Sequence, residues 1–168
     1  MTTQEFHYLW HERHQVLYRV ELSVIYHLKR EKFFNRCDKF TKVISIVGGS
    51  AVIVQLLAPQ ALLVIAAAIT ISSVASLIFN FSDKAKSHWE LAKNFRQLES
   101  EIFNKEKLIF NAQDLSGWNS RIRDIEKNEK ANISTLVIIC QNELARAQNQ
   151  PEKIVKIPFL KKFFAHLF

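Results

Sequence analysis

The sequence predicts an all-α protein in which a two-transmembrane helical hairpin joins long N-terminal and C-terminal cytoplasmic helices. Three observations lead to this prediction. No Asp, Glu, Lys or Arg occurs in the forty residues from Val43 to Ser82. Pro59 divides this apolar stretch near its middle. The flanking regions are polar and carry apolar residues at three- and four-residue steps, which is the period of an amphipathic helix.

The apolar stretch is long enough for two membrane spans, because about 20 apolar residues cross a bilayer as a helix. Val43–Leu57 is the first predicted span and Gln60–Phe81 is the second. The residues Leu57–Gln60 between them predict a tight turn. Proline suits this position because it lacks an N–H, disfavours helix at the preceding residue and fits the first position of a new helix.

A buried helical hairpin in the core of a soluble α-helical domain is the alternative interpretation. The 15 residues of the first span support it, because they extend about 22 Å against a hydrocarbon core of about 30 Å. Lys39 and Lys42 can reach the interface with their ammonium groups, and a bilayer can thin around a short span. The 22 uncharged residues of the second span favour the membrane.

Composition and charge set the topology. With 48% hydrophobic residues, three Gly and three Pro, the chain is typical of neither disordered nor β-rich proteins. The net charge is +7, and residues 1–42 contain eight Lys or Arg, whereas the predicted turn contains none. Positive residues remain on the cytoplasmic side, so both termini are predicted to be cytoplasmic. Cys37 and Cys140 then lie in a reducing compartment and need not pair.

Three segments follow from this division: an N-terminal cytoplasmic amphipathic helix (1–42), the two-span hairpin (43–82) and a C-terminal cytoplasmic helical region (83–168) with a basic, aromatic tail. Residues 4–40 are predicted to form a helix that continues into the first span.

The C-terminal region is predicted to hold two helices, His88–Phe110 and Ser120–Gln148, with a turn at Asn111–Gly117 between them. A coiled-coil-like spacing within the first of these helices indicates a partner helix. The residues with this spacing are Leu91, Phe95, Leu98 and Ile102.

Small and polar residues form one stripe on each predicted span. These residues are Ser45, Gly49 and Gln55 on the first span, and Ser73, Ser76 and Asn80 on the second. In a bilayer such residues prefer protein or water to acyl chains. They either allow the two helices to pack or line a shared lumen in a homo-oligomer. Both roles remain open, because one hairpin has two faces and cannot enclose a pore alone.

Basic residues cluster at the membrane edge of the first span. They are Lys29, Arg30, Lys32, Arg36, Lys39 and Lys42. Anionic lipid headgroups attract each such charge by about 1 kcal/mol. Nucleic acid is the competing partner, but basic residues here alternate with acidic ones beside the span, which favours lipid. The tail Phe159–Phe168 either lies in the membrane interface or docks on a neighbouring subunit.

Residues suited to catalysis or metal binding form no familiar arrangement. His7, His11 and His14 share a helix face at a spacing that metals accept, although an exposed face tolerates the same histidines. The sequence contains no Gly-x-Ser-x-Gly motif or phosphate-binding glycine loop. Gly48–Ser50 lies inside the apolar stretch and predicts a close approach of two helices. We therefore expect no enzymatic activity, no cofactor and no bound metal.

The chain resembles the SLATT domains over nearly its whole length. Aromatic and basic residues in the N-terminal helix (Tyr26–Arg30 and Phe33–Arg36), the tight two-span hairpin and a cytoplasmic stretch at Cys140–Leu144 carry the resemblance. SLATT domains are small two-transmembrane proteins found beside nucleotide-signalling genes in bacterial conflict systems.

The resemblance implies an oligomeric, pore-forming effector of the bacterial inner membrane that acts in antiphage or abortive-infection defence. It also implies control by a nucleotide signal or by a partner sensor protein. The alternative is a non-catalytic, membrane-anchored scaffold that recruits a soluble partner through its cytoplasmic helices.

Overall fold

The computed structural model describes residues 3–50, 59–105, 110–127, 129 and 132–166, and over these ranges it contains helices and no strand. The all-α prediction is confirmed. The helices are α1 (Thr3–Gly48), α2 (Pro59–Phe79), α3 (Phe81–Asn104), α4 (Ala112–Glu126), α5 (Ser134–Ala147) and α6 (Phe159–Phe163), with a 3₁₀ turn at Pro151–Lys153.

The chain forms two compact units. The first, which we call the polar unit, consists of Met1–Lys29 and Trp89–Phe168. The second, the apolar unit, is Arg30–His88. The boundary between them therefore falls inside α1 and inside α3.

The polar unit has a core built from α1, α3 and α4. The stripe predicted on α3 is buried in this core, with Phe95, Leu98 and Ile102 fully enclosed. Val20 and Val24 of α1 pack in the same cluster, as the helical period of residues 4–40 predicts. Other apolar residues of the cluster are Val16, Phe110, Leu115, Trp118 and Ile122. Helix α3 thus has partner helices along the face that its sequence marks.

The predicted turn at Asn111–Gly117 is wrong, because α4 begins at Ala112. Asn111 is its N-cap: the side-chain Oδ1 accepts hydrogen bonds from Gln113 N at 2.9 Å and Asp114 N at 3.1 Å. The Asp114 carboxylate in turn accepts from the Asn111 N–H at 2.9 Å, which completes a capping box. This backbone hydrogen bond lowers the pKa of Asp114.

The single helix predicted over Ser120–Gln148 is also wrong, because α4 ends at Glu126 and α5 begins at Ser134. The sequence from Glu126 to Asn132 offers only Ala131 as an apolar side chain, so a continuous helix would have little to bury there. The Tyr26 hydroxyl instead accepts a hydrogen bond from Ile133 N at 3.2 Å, just before α5.

Helix α5 ends in a Schellman motif. Asn149 has a left-handed φ of 54°, and Gln150 N donates to the Ala145 carbonyl at 2.8 Å. Pro151 follows this cap and begins the 3₁₀ turn. After the 3₁₀ turn the chain packs against α5. The Asn142 side chain donates to the Val155 carbonyl at 2.7 Å and accepts from Val155 N at 2.8 Å.

Candidate functional site

The C-terminal end of α1 and helix α2 make a close contact within the apolar unit. A Cβ placed on Gly48 would lie 2.7 Å from Ile69 Cδ1 and 2.9 Å from Ile65 Cγ2. The close helix approach predicted at Gly48–Ser50 is therefore present at Gly48. At Gly49 the nearest atom to such a Cβ is the Ser45 carbonyl oxygen of the preceding turn, at 2.9 Å.

The two-span hairpin itself is not confirmed. The first predicted span is described only as far as Ser50, and α1 ends at Gly48. Residues 51–58, which include Gln55 and the first two residues of the predicted turn, lie outside the described residues. The second predicted span corresponds to α2, which begins at Pro59 as the turn chemistry of proline predicts.

Helix α2 has a narrow inner face and a broad outer face. The inner face is half-buried or buried and follows a three- and four-residue step through Leu62, Ile65, Ile69 and Ser72. The outer face is apolar and exposed, with Leu77 at 82% and Leu63 at 77% of their full accessible surface. Other exposed apolar residues of the unit are Phe40, Val43, Ile46, Val47, Val64, Ile71, Val74, Ile78 and Phe79.

Within the described ranges, one candidate stretch is long and apolar enough to cross a membrane by length and composition: Gln60–Asn104, which runs through α2 and α3. A core helix of a soluble protein can satisfy the same two criteria, but such a helix is mostly buried. Here only 6% of the most apolar 18-residue window is buried. The exposure therefore argues against the soluble-core alternative.

Three hydroxyl groups of the predicted spans bond to their own helices. Ser45 Oγ donates to the Thr41 carbonyl at 3.0 Å, and Thr70 Oγ1 donates to the Ala66 carbonyl at 2.9 Å. Ser72 Oγ donates to the Ile69 carbonyl at 3.0 Å. Such bonds to the preceding turn satisfy a hydroxyl without water or a neighbouring chain.

The predicted polar stripe is only partly brought together. Ser72, which lies outside the predicted stripe, is buried in α2. Ser73 and Ser76 are half-buried, and Ser45, on α1, is exposed. The helix contact is made by Ile65 and Ile69, so apolar packing against a glycine sets the spacing of the two helices.

Asn80 separates α2 from α3. Its φ of 46° is left-handed, a conformation that asparagine tolerates better than most residues. Asn80 N donates to the Ser76 carbonyl at 2.9 Å, and Asn80 Nδ2 donates to Asp83 Oδ2 at 2.5 Å. These contacts end one helix and begin the next, so Asn80 has a backbone role that its predicted pore-lining role does not explain.

Three of the six basic residues predicted to meet lipid headgroups contact other side chains. Lys29 Nζ pairs with Glu143 Oε2 at 2.5 Å in the polar unit, and Lys42 Nζ pairs with Asp38 Oδ2 at 2.6 Å. The guanidinium of Arg30 lies 4.5 Å from the centre of the Phe34 ring. The other three are exposed at i, i+4 and i+7 on one face of α1: Lys32, Arg36 and Lys39.

A buried aromatic ring, Phe34, organises cations at this edge of the apolar unit, and sequence reasoning missed it. The ring stacks on His88 at 5.6 Å with an interplanar angle of 8°. Arg30 and Lys84 lie over it at 4.5 and 5.5 Å. The i, i+4 spacings of Arg30 with Phe34 and of Lys84 with His88 are the sequence signals that could have indicated two shared helix faces.

The histidines of α1 do not form a metal centre in the described part of the chain. No group of three His, Cys, Asp or Glu side chains there has a geometry that could hold a metal ion. His14 instead packs edge-on against Trp10 at 4.8 Å, with Nδ1 at 2.9 Å from the Trp10 carbonyl oxygen. Cys140 is fully enclosed, and burial raises its pKa to about 12.

The polar unit carries an open groove of about 460 Å³ between α1 and α3. Its floor is apolar, and Lys93 and Arg96 lie at its edge. The residues that line it are Val24, Leu28, Trp89, Ala92, Lys93, Arg96, Gln97 and Ser100. A groove of this kind fits a helix or an extended segment of another protein.

Comparison of the chain with known proteins gives no match: no family model, no curated protein and no solved structure is similar to it. The resemblance to SLATT domains therefore remains a prediction.

Proposed function

We propose that this protein is a bacterial inner-membrane effector that inserts through the end of α1 and through α2, self-associates and breaches the membrane during antiphage defence. Both termini are cytoplasmic, and a nucleotide signal or a partner sensor protein controls the assembly. The resemblance to SLATT domains is the support for the defence role and its control, and the residues of the apolar unit support membrane insertion.

The outward-facing apolar surface of α2 is the observation that carries the proposal. Soluble monomers rarely expose contiguous apolar patches beyond a few hundred Å², and each Å² left in water forgoes about 25 cal/mol. At about 100° per residue, the exposed apolar side chains from Leu77 through Leu63 to Phe79 span about 200° of the circumference of α2. Acyl chains can cover the whole width of such a surface, whereas a single groove of another protein covers only one side of a helix.

Charge supports the proposed orientation. Lys32, Arg36 and Lys39 share one exposed face of α1. Val43, four residues after Lys39, lies on the same face and is exposed. A helix that changes from basic to apolar along one face is typical of a segment that enters a bilayer from the cytoplasmic side. The basic residues then meet anionic headgroups where Val43 meets acyl chains.

Self-association would use surface that the contact between α1 and α2 leaves uncovered. Gly48 and Ile69 occupy the face between the two helices. Ser73 is half-buried at the border of the outer face, where a second copy would cover it, whereas Ser76, four residues after Ser72, continues the inner face. Hydroxyl groups at such a junction favour water over an all-apolar constriction.

A membrane-anchored scaffold is the second candidate. The hydroxyl groups of Ser45, Thr70 and Ser72 bond within their own helices, which suits packing without a water-filled passage. The open groove beside Trp89 offers a place for a soluble partner.

Reconstitution into dye-loaded vesicles tests the proposal. The wild-type protein should insert and release the dye, whereas Leu63→Arg and Ala67→Arg should insert poorly, because a mid-span charge costs about 2.5–3.5 kcal/mol. Gln113→Arg, at an exposed position of α4, is the matched control and should behave as wild type. Insertion without dye release, in the presence of candidate signals and partners, would support the scaffold. Recovery of wild-type protein in the soluble fraction would refute both.

A further inference from the structure

Helix α6 presents a compact apolar arc to solvent. At about 100° per residue, four large apolar side chains fall within an arc of about 140°. Phe159 is 79% exposed, Phe163 71% and Leu160 70%, and Phe164, the C-cap residue directly after α6, completes the arc at 42%. Such side chains are usually buried in a folded domain, so their shared outward direction indicates a partner outside the polar unit.

Lysines occupy the opposite side of this helix. Lys161 and Lys162 are exposed and fall outside the apolar arc. Lys153 and Lys156, which precede α6, are exposed as well. No acidic residue follows Glu152 in the sequence. The segment is therefore both amphipathic and uniformly basic.

Contacts with the rest of the polar unit hold α6 on both sides. Upstream, the Asn142 side chain donates to the Val155 carbonyl at 2.7 Å and accepts from Val155 N at 2.8 Å. Downstream, Ala165 is 1% exposed. The helix is thus ordered with its apolar arc outward, so binding a partner does not require the whole tail to fold first.

We propose that α6 is a second membrane contact, which places its aromatic side chains among the lipids of an anionic leaflet and its lysines at the headgroups. A protein groove is the less suitable occupant, because helix-in-groove recognition reads anchors over two turns or more, and α6 has five residues. Short basic and aromatic segments bind at the bilayer interface, where apolar burial and attraction to anionic lipid act together. The contact does not depend on pore formation and rests only on the proposed membrane location.

Lipid-depth measurements on the full chain in nanodiscs test this contact. A fluorophore is attached to Phe164→Cys in a Cys37→Ser background, and quenching by spin-labelled lipids is recorded. Cys140 remains unlabelled because it is enclosed and its pKa is about 12. A label at Leu77→Cys reports insertion of α2. A label at Gln113→Cys, an exposed position of α4, is the control and should remain unquenched.

We expect the Phe164 label to be quenched in nanodiscs containing phosphatidylglycerol and much less in pure phosphatidylcholine. Replacing Lys161 and Lys162 together by Gln should lower the ratio of bound to unbound tail by about thirty-fold, at about five-fold per lysine. Equal quenching in both lipids would overturn the proposed recognition of anionic lipid by the lysines of the tail.

Two further outcomes separate the proposals. If the Leu77 label is quenched and the Phe164 label is not, the α6 contact is refuted and membrane insertion stands. If neither label is quenched, the membrane location fails together with the contact. A Phe164 label that is shielded from water but not quenched by lipid would assign the arc to a second copy of the chain and would overturn the proposed lipid contact.

Discussion

Gly48 and Ile69 approach each other so closely that a Cβ on Gly48 would lie 2.7 Å from the Cδ1 atom of Ile69. Ile65 lies almost as near, with its Cγ2 at 2.9 Å from the same point. Both isoleucines are β-branched and have few alternative rotamers in a helix. The contact therefore fixes which residues of α1 and α2 lie at the same level within the apolar unit.

Gly48→Ala should loosen this contact. The added methyl group requires Ile65 and Ile69 to move, and overpacking of this kind costs about 1–3 kcal/mol. The measurement is the free energy of unfolding of the purified protein in detergent micelles, followed by loss of the helical circular-dichroism signal.

Gly117→Ala is the matched control, with the same change of residue in a different place. Gly117 lies inside α4, and a Cβ there has no neighbour within 4 Å. Alanine should therefore stabilise the protein by about 0.5–1 kcal/mol, the difference between the two residues in a helix interior. Equal effects of the two substitutions would show that Gly48 is not tightly packed.

The repeated apolar steps of α1 and α3 made their buried faces predictable from sequence. Leu91, Phe95, Leu98 and Ile102 are buried where the spacing places them, because a period near 3.6 leaves little choice of which face packs. Trp89, near the start of the same predicted helix, is 54% exposed. A large aromatic side chain near the end of the buried face of α3 was therefore not a sign of burial.

Register and tertiary clustering were less accessible to sequence reasoning. The close helix approach was predicted only to within Gly48–Ser50, and the structure places it at Gly48, although one residue rotates a helix face by about 100°. The cation cluster around Phe34 joins residues fifty positions apart, which no local pattern reveals. The capping box at Asn111 was present in the sequence but was predicted as a turn, because asparagine favours both.

Arg13→Met should destabilise the polar unit. Arg13 Nη2 donates to the Ile102 carbonyl at 2.7 Å, in the last turn of α3, and the guanidinium lies 5.3 Å from the Trp10 ring. Methionine keeps an apolar stem but leaves this carbonyl without its charged donor, a loss of about 1.5–3 kcal/mol. Denaturant unfolding followed by tryptophan fluorescence measures the change.

Arg19→Met is the control for this substitution. Arg19 pairs with Glu126 on the surface, and its side chain is 50% exposed. Exposed ion pairs contribute about 0–1 kcal/mol. A larger effect at Arg19 than at Arg13 would contradict the proposed importance of the buried hydrogen bond.

Cys140 should resist thiol reagents until the polar unit unfolds. Burial raises its pKa to about 12, so about one thiol in ten thousand is ionised at pH 8. Cys37 is half-buried, and burial raises its pKa as well. Timed alkylation at pH 8, followed by mass spectrometry, should modify Cys37 first and Cys140 only in denaturant.

The sign of the pH effect on Cys140 follows from the same shift. The thiol of the unfolded chain ionises at its ordinary value of about 8.5, well before the folded thiol does. Rising pH therefore favours unfolding between about pH 8.5 and 12, and Cys140 modification should accelerate over this interval. Fast labelling of native protein at pH 8 would show that the site is open.

Asn80 provides a test of whether the polar stripe lines a passage or shapes the backbone. Its left-handed φ of 46° suits asparagine or glycine, and the conformation costs other residues about 1–2 kcal/mol. Asn80→Gly should therefore preserve stability while removing the amide, whereas Asn80→Val should destabilise the junction of α2 and α3. Thermal unfolding in micelles and dye release from vesicles are measured on the same preparations.

If the amide wets a passage, glycine and valine should both reduce dye release. If Asn80 acts through the backbone, glycine should retain the release seen for wild type, and valine should lose it in proportion to its lost stability. The hydrogen bond from Asn80 Nδ2 to Asp83 at 2.5 Å already engages the amide at the start of α3, so we expect the second pattern.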